Sequence, residues 1–151
     1  MGRKKISMID VTDKPIIYRE AIASGIIKLK PETIQLIKKG KVEKGDPLET
    51  AKIAGILAAK NTSQLIPMCH PLPLTHIDII TKIKDNETIE VSAKAKTEAK
   101  TGVEMEALVA TATALLTIWD MVKKYEKDEA GQYPHTKILE IRVNKKVKRE
   151  K

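Results

Sequence analysis

The only cysteine of the chain, Cys69, stands beside His70 in the stretch PMCHPLPLTHIDI (67–79), and His76 follows six residues later. A thiol next to an imidazole can be a nucleophile with its base, or part of a metal site. The prolines at 67, 71 and 73 argue against a dyad. Each pushes the residue before it into extended geometry, and neighbouring side chains on an extended chain point to opposite sides. The order Cys-His-x5-His matches no familiar zinc spacing either. The expectation is a packed Cys69 and a stiff wall from which His70 alone faces a ligand.

Other groups with chemistry lie elsewhere. Glu104 and Glu106 open a helical pattern; Glu104 stands at the third position of a capping box, Thr101-Gly102-Val103-Glu104, whereas Glu106 has no such structural duty. Asp120 and Lys123 are three apart, close enough on a helix to touch. They read as a surface ion pair, or as an acid and an ammonium tuned by partial burial beside Trp119. Lys44 precedes Gly45 and Asp46 just before a helix start, where backbone N–H groups favour an anion. Glu106 and Asp120 would lie ~21 Å apart on a straight helix. A small substrate cannot touch both from one chain, so one site must draw on two subunits or the ligand must be long.

The elements that must hold these residues are legible in the patterning. A strand is expected over 19–29, weakened by Gly25. Pro31 opens a short helix that Gly40 closes. Asp46, Pro47 and Glu49 cap the next helix, LETAKIAGILAAK, on which Ile53, Ile56, Leu57 and Lys60 trace one side. Ile77, Ile79 and Ile83 alternate with polar residues, Asp85-Asn86 is turn chemistry, and Ile89, Val91, Ala93 and Ala95 alternate again. That is a hairpin with one wet face. A long helix runs from 101 to about 127, and Leu139, Ile141 and Val143 mark a last strand. The order is βαββαβ with an extra helix in the first crossover, an α+β ferredoxin-like plan with an antiparallel sheet.

The long helix carries ALVATATALLTIW (107–119) without a charge, a run too short to span a membrane. A helix apolar all round must be covered on both sides, and one sheet covers one side. A stable homo-oligomer is therefore expected.

Bulk composition sets limits on partners. The 151 residues, 42% hydrophobic and 32% charged, make one domain spanning 1–151. One cysteine and no apolar leader are expected of a cytoplasmic protein. Of the net charge of +8, three units sit at 1–5 and four at 145–151, in what read as short basic tails. With aromatics at 3% and no Phe, base stacking has little to work with, so nucleic acid is an unlikely partner. A basic ferredoxin-like nucleic-acid module and a metal-dependent hydrolase on Cys69, His70 and His76 are the alternatives.

Taken in order, KGD (44–46), LIPMCHPLPL (65–74), KTGVEMEAL (100–108) and TIWDMVK (117–123), with MIDVTDKPIIYREAIASG (8–25), resemble the cyclic pyranopterin monophosphate synthase family, MoaC, of molybdenum cofactor biosynthesis. The resemblance runs from Met8 to about Val143. It implies a hexamer, a trimer of dimers, with active sites between subunits. It implies a lyase acting on 3′,8-cyclo-7,8-dihydroguanosine 5′-triphosphate, which a radical S-adenosylmethionine GTP cyclase supplies. The product is a pyranopterin with a cyclic phosphate, and pyrophosphate leaves. By the family pattern Asp120 is the acid/base, and Lys44 and Lys123 are essential lysines. Met68, Cys69 and His70 line the substrate site with Met105 and Glu106. The residues so implied include no metal ligand, and no cofactor is expected.

Overall fold

The computed structural model describes residues 2–150. Its elements are β1 (Ile17–Lys28), α1 (Pro31–Lys38), α2 (Pro47–Lys60), the single turn α3 (Thr62–Leu65), β2 (Leu74–Ile83), β3 (Thr88–Ala99), α4 (Glu104–Glu126) and β4 (Lys137–Arg149). The sheet order is β2-β3-β1-β4, with every neighbouring pair antiparallel. That is the expected ferredoxin-like arrangement, an open four-stranded sheet with helices on one face.

The two central strands pair without a break from Ile17 opposite Ala99 to Lys28 opposite Thr88. Because strand side chains alternate, Ala21, Ala23, Gly25 and Ile27 share the helix side with Ala95, Ala93, Val91 and Ile89. All seven side chains among these eight positions are buried. Their smallness lets α4 lie close to the sheet. At Gly25 a Cβ would come within 2.6 Å of Leu115 Cδ1 and 2.8 Å of the Glu140 carbonyl. The glycine that weakens the strand pattern is thus a point where side chains of α4 leave no room for a Cβ. Ile27, Leu29, Ile34, Ile89, Leu115, Ile118 and Val122 fill the centre of the core.

Several expectations are corrected. The basic residues from 145 to 149 are not a tail; they continue β4, where Lys145 pairs with Ile22 and the Arg149 guanidinium lies 4.5 Å over the Tyr18 ring. The outer edge of β1 offers backbone groups along its whole length, and β4 satisfies them whatever side chains it carries. On α2 the inward face is Pro47, Ala51, Gly55 and Ala59, while Ile53 and Leu57 point outward. Small residues win the inner face because α2 wedges tightly between β2 and α4. Asp46 caps α2 as expected, accepting from the N–H groups of Leu48 and Glu49 at 2.9 and 3.2 Å. The Glu49 carboxylate turns to Lys52 instead of back to the cap.

The capping box at 101–104 does not form either. Val103, fully buried with Ala21, Ala95 and Ala107, is the residue that precedes the helix, and no side chain caps it. Anchoring Val103 in the core delays the helix start to Glu104.

α4 as a whole is longer than its uncharged run and is apolar and long enough by length and composition to cross a membrane; half of its most apolar window is buried inside the chain, as in a core helix. Its inner stripe, Ala107, Ala110, Thr111, Ala114, Leu115 and Ile118, meets the sheet and α2. Its outer side carries Met105 and Leu116, exposed like Ile53 and Leu57 of α2.

Candidate active site

Lys44 and Lys123 converge on one carboxylate from separate parts of the chain. Lys123 sits one turn after Asp120 on α4 and places its Nζ 3.0 Å from Oδ1. Lys44 arrives from the turn before α2, its Nζ 3.2 Å from Oδ2 and 3.3 Å from the Asp120 carbonyl oxygen. The turn is built for this. Val42 is buried at its start, the Gly45 N–H donates to the Val42 carbonyl at 3.1 Å, and Gly45 takes a positive φ of 111° that disfavours any side chain. The Lys123 ammonium first, and Lys44 second, hold the Asp120 carboxyl below the usual range; Asp120 in turn raises Lys123. Of the two readings of this pair, the exposed ion pair is the one that holds, and burial does not tune it. The Asp120 side chain is 57% exposed, and neighbouring charge does the tuning. Trp119 packs inward, its ring edge-on to Tyr133 with centroids 5.3 Å apart, and Tyr133 adds to the raised affinity of Lys123 for its proton.

A second cluster forms at the other end of α4. Ile66 to Cys69 make a turn, closed by the Cys69 N–H to the Ile66 carbonyl at 3.1 Å, so the extended geometry expected of the whole stretch begins only after it. Cys69 and His70 meet different neighbours. His70 Nε2 donates to the Ile9 carbonyl at 2.6 Å, which leaves Nδ1 as an acceptor in the neutral ring. Cys69 lies toward α4: burial first, then the charges of Glu106 and Glu104, push its thiol up. A thiol held protonated is a poor nucleophile.

Glu106 is only 3% exposed, and among the described residues its Oε1 has no hydrogen-bond partner. Burial, with a smaller contribution from Glu104, raises its carboxyl. Glu104 also has one oxygen buried without a partner, the other lying 3.6 Å from Lys146. With no capping bond to make, Glu104 belongs to the same acidic group as Glu106. Met68 and Met105 are both partly exposed at this end.

A cleft of about 340 Å³ runs past Met68, His70, Thr101 and the N-terminal residues Ile9, Val11 and Lys14. Residues 8–12 line an adjoining cleft, held by His70 and by Lys100, whose Nζ donates to the Thr12 carbonyl at 2.8 Å. Lys100 and the 8–12 segment were not singled out as site residues, although both fall inside stretches of family resemblance. Asp10 there accepts from Thr12 and titrates low for that reason first.

The chain thus brings together Lys44, Asp120 and Lys123 in one group, and Met68, Cys69, His70, Met105, Glu104 and Glu106 in the region of another. Glu106 and Asp120 remain fourteen residues apart on one helix, ~21 Å by its rise. His76 sits on β2 opposite Lys96, away from Cys69's acidic neighbours. Among the described residues no three His, Cys, Asp or Glu side chains gather as metal ligands do. The hydrolase alternative has no ligand set.

Comparison with known proteins gives the family. Residues 8–148 match the model of the MoaC family. A probable cyclic pyranopterin monophosphate synthase of Sulfolobus acidocaldarius is 59% identical over 93% of this chain and 98% of its own length. Proteins given the same name in Pyrococcus furiosus and Thermococcus kodakarensis are 57% and 55% identical, over 100% and 99% of this chain and 96% of each relative. With a family match across nearly every element that carries the two clusters, the chain belongs to the MoaC family.

Proposed function

We propose that the chain is a lyase of molybdenum cofactor biosynthesis that converts 3′,8-cyclo-7,8-dihydroguanosine 5′-triphosphate to cyclic pyranopterin monophosphate and releases pyrophosphate. The observation that carries the reading is the meeting of Lys44, Asp120 and Lys123, supplied by two of the segments on which the family resemblance rests. Closing a cyclic phosphate and expelling pyrophosphate develops negative charge on phosphate oxygens, and two ammonium groups side by side answer that need. Rearranging the aminal ring needs a proton acceptor and a donor. Asp120, kept ionised by its lysines, enters as the acceptor, and the lysine ammonium groups enter as donors.

Met68, Cys69, His70, Met105 and Glu106 make the wall that receives the purine-derived ring. His70 offers Nδ1 as an acceptor, and Glu106 offers a buried carboxyl whose Oε1 has no hydrogen-bond partner among the described residues. Because one chain holds these two groups at opposite ends of α4, a complete site takes its wall from one subunit and its lysine–aspartate cluster from another. The outward apolar residues Ile53, Leu57 and Leu116 support an assembly, for which a hexamer built as a trimer of dimers is the proposal. The substrate would come from a radical S-adenosylmethionine GTP cyclase, in the cytoplasm. The test is conversion of the cyclic GTP intermediate by folded Asp120→Asn and Lys123→Ala proteins. Losses of about a hundredfold or more are expected, and near wild-type turnover in either variant removes that residue from the mechanism.

A further inference from the structure

Lys44 reaches Asp120 from an exposed turn, and something must hold the stem of that lysine in place. The turn is fastened one residue earlier. The Glu43 N–H donates to the Tyr125 hydroxyl at 2.8 Å. The Lys124 ammonium also meets the Glu43 carboxylate. These two holds differ in kind. The Lys124–Glu43 pair is mostly exposed on both sides, where ion pairs contribute little and salt screens them. Tyr125 is partly buried against the main core, so its ring is fixed, and its hydroxyl grips the backbone itself. Val42, just before Glu43, is buried in that same core, and its carbonyl accepts from the Gly45 N–H at 3.1 Å. Lys44 therefore projects from a turn pinned at its start and closed across the lysine, over a carboxylate five residues before Tyr125 on α4.

We propose that Tyr125 is a positioning residue, whose hydroxyl sets Lys44 against Asp120 by fixing the Glu43 backbone. The consequence for catalysis rests on the reading of the lysine–aspartate cluster given under Proposed function; the positioning itself does not. The charged groups facing Asp120 are Lys44 and Lys123, and Tyr133 acts on Lys123, so Asp120 reports directly on where Lys44 lies.

The experiment uses the full chain and the variants Tyr125→Phe, Lys44→Ala and the two combined. The Asp120 carboxyl is titrated by 13C NMR, and turnover of the cyclic GTP intermediate is measured in parallel. Tyr125→Phe is expected to raise the Asp120 midpoint by part of the rise that Lys44→Ala causes. The combined variant should match Lys44→Ala alone. Turnover should fall about three- to tenfold in kcat for Tyr125→Phe, the equivalent of one hydrogen bond, and no further on the Lys44→Ala background. An unmoved midpoint in Tyr125→Phe, or effects that simply add in the combined variant, overturns the proposal. A merely structural tyrosine would lower thermal stability without this coupling. If the midpoints behave as expected while Lys44→Ala keeps full turnover, the positioning stands and the catalytic role of Lys44 falls.

Discussion

The Thr136 hydroxyl donates to the fully buried carboxylate of Glu126 at 2.7 Å, tying the entry of β4 to the end of α4. The same carboxylate accepts from the Lys30 N–H at 3.1 and 3.2 Å and from the Thr33 hydroxyl. Two segments, one at 30–33 and one at 136, thus end on one side chain of α4, one turn beyond Lys123. Glu126→Ala would leave these donors unsatisfied in the core, a loss of about 3 kcal/mol or more. Urea unfolding measures it, and a loss below about 1 kcal/mol would show that the hub is dispensable.

Gly55 lies where α2 meets both β2 and α4. A Cβ there would fall 3.1 Å from the Ala110 carbonyl oxygen and against the Ile79 Cδ1. The tip of Ile79 can rotate away, and alanine gains about 1 kcal/mol of helix propensity over glycine. Gly55→Ala should therefore be close to neutral in stability. Gly55→Val adds two methyl groups to that crowded point and should cost about 2–3 kcal/mol. Thermal melts of the two variants separate these outcomes, and equal melting points would refute the close packing.

Glu106 makes a pH signature. Its carboxyl is raised by burial, so between the ordinary glutamate value and that raised value the folded state binds more protons than the unfolded one. Stability from this group is full below the unfolded value and declines as pH climbs through the folded one. Glu106→Gln should therefore melt higher than the parent at pH 7, by a few degrees, and lose that advantage near pH 4. The same increment at both pH values would contradict a raised carboxyl.

The Cys69 thiol is pushed up by burial and by the charges of Glu106 and Glu104. Alkylation by iodoacetamide at neutral pH should run several-fold slower than for a free cysteine. Glu106→Gln should speed it. A rate equal to that of free cysteine would place the thiol in a different environment.

Ile53, Leu57 and Leu116 are 63%, 54% and 57% exposed within one chain. Replacing Ile53 and Leu57 together by Glu should disperse the proposed assembly toward smaller species in sedimentation at micromolar concentration. A monomeric mass for the unmodified chain would end the intersubunit account of the site.

What the sequence determined by itself was what local chemistry controls. Alternation drew β2, β3 and the core of β4, Asp46 and Pro47 marked the start of α2, and the three-residue spacing of Asp120 and Lys123 made them neighbours on any helix. The family was legible as well, because resemblance follows sequence directly. Tertiary structure decided everything that depends on elements far apart in the chain. It delayed the start of α4 because Val103 is drawn into the core. It turned Ala51, Gly55 and Ala59 of α2 inward and left Ile53 and Leu57 outside, because space against β2 and α4 outranks hydrophobicity. It made a strand of the basic residues 145–149, because the edge of β1 needed backbone partners. It also set Lys44 beside Asp120, seventy-six residues away, and so made charge, not burial, the force that tunes the acid. No window of sequence contains that contact; only the folded chain does.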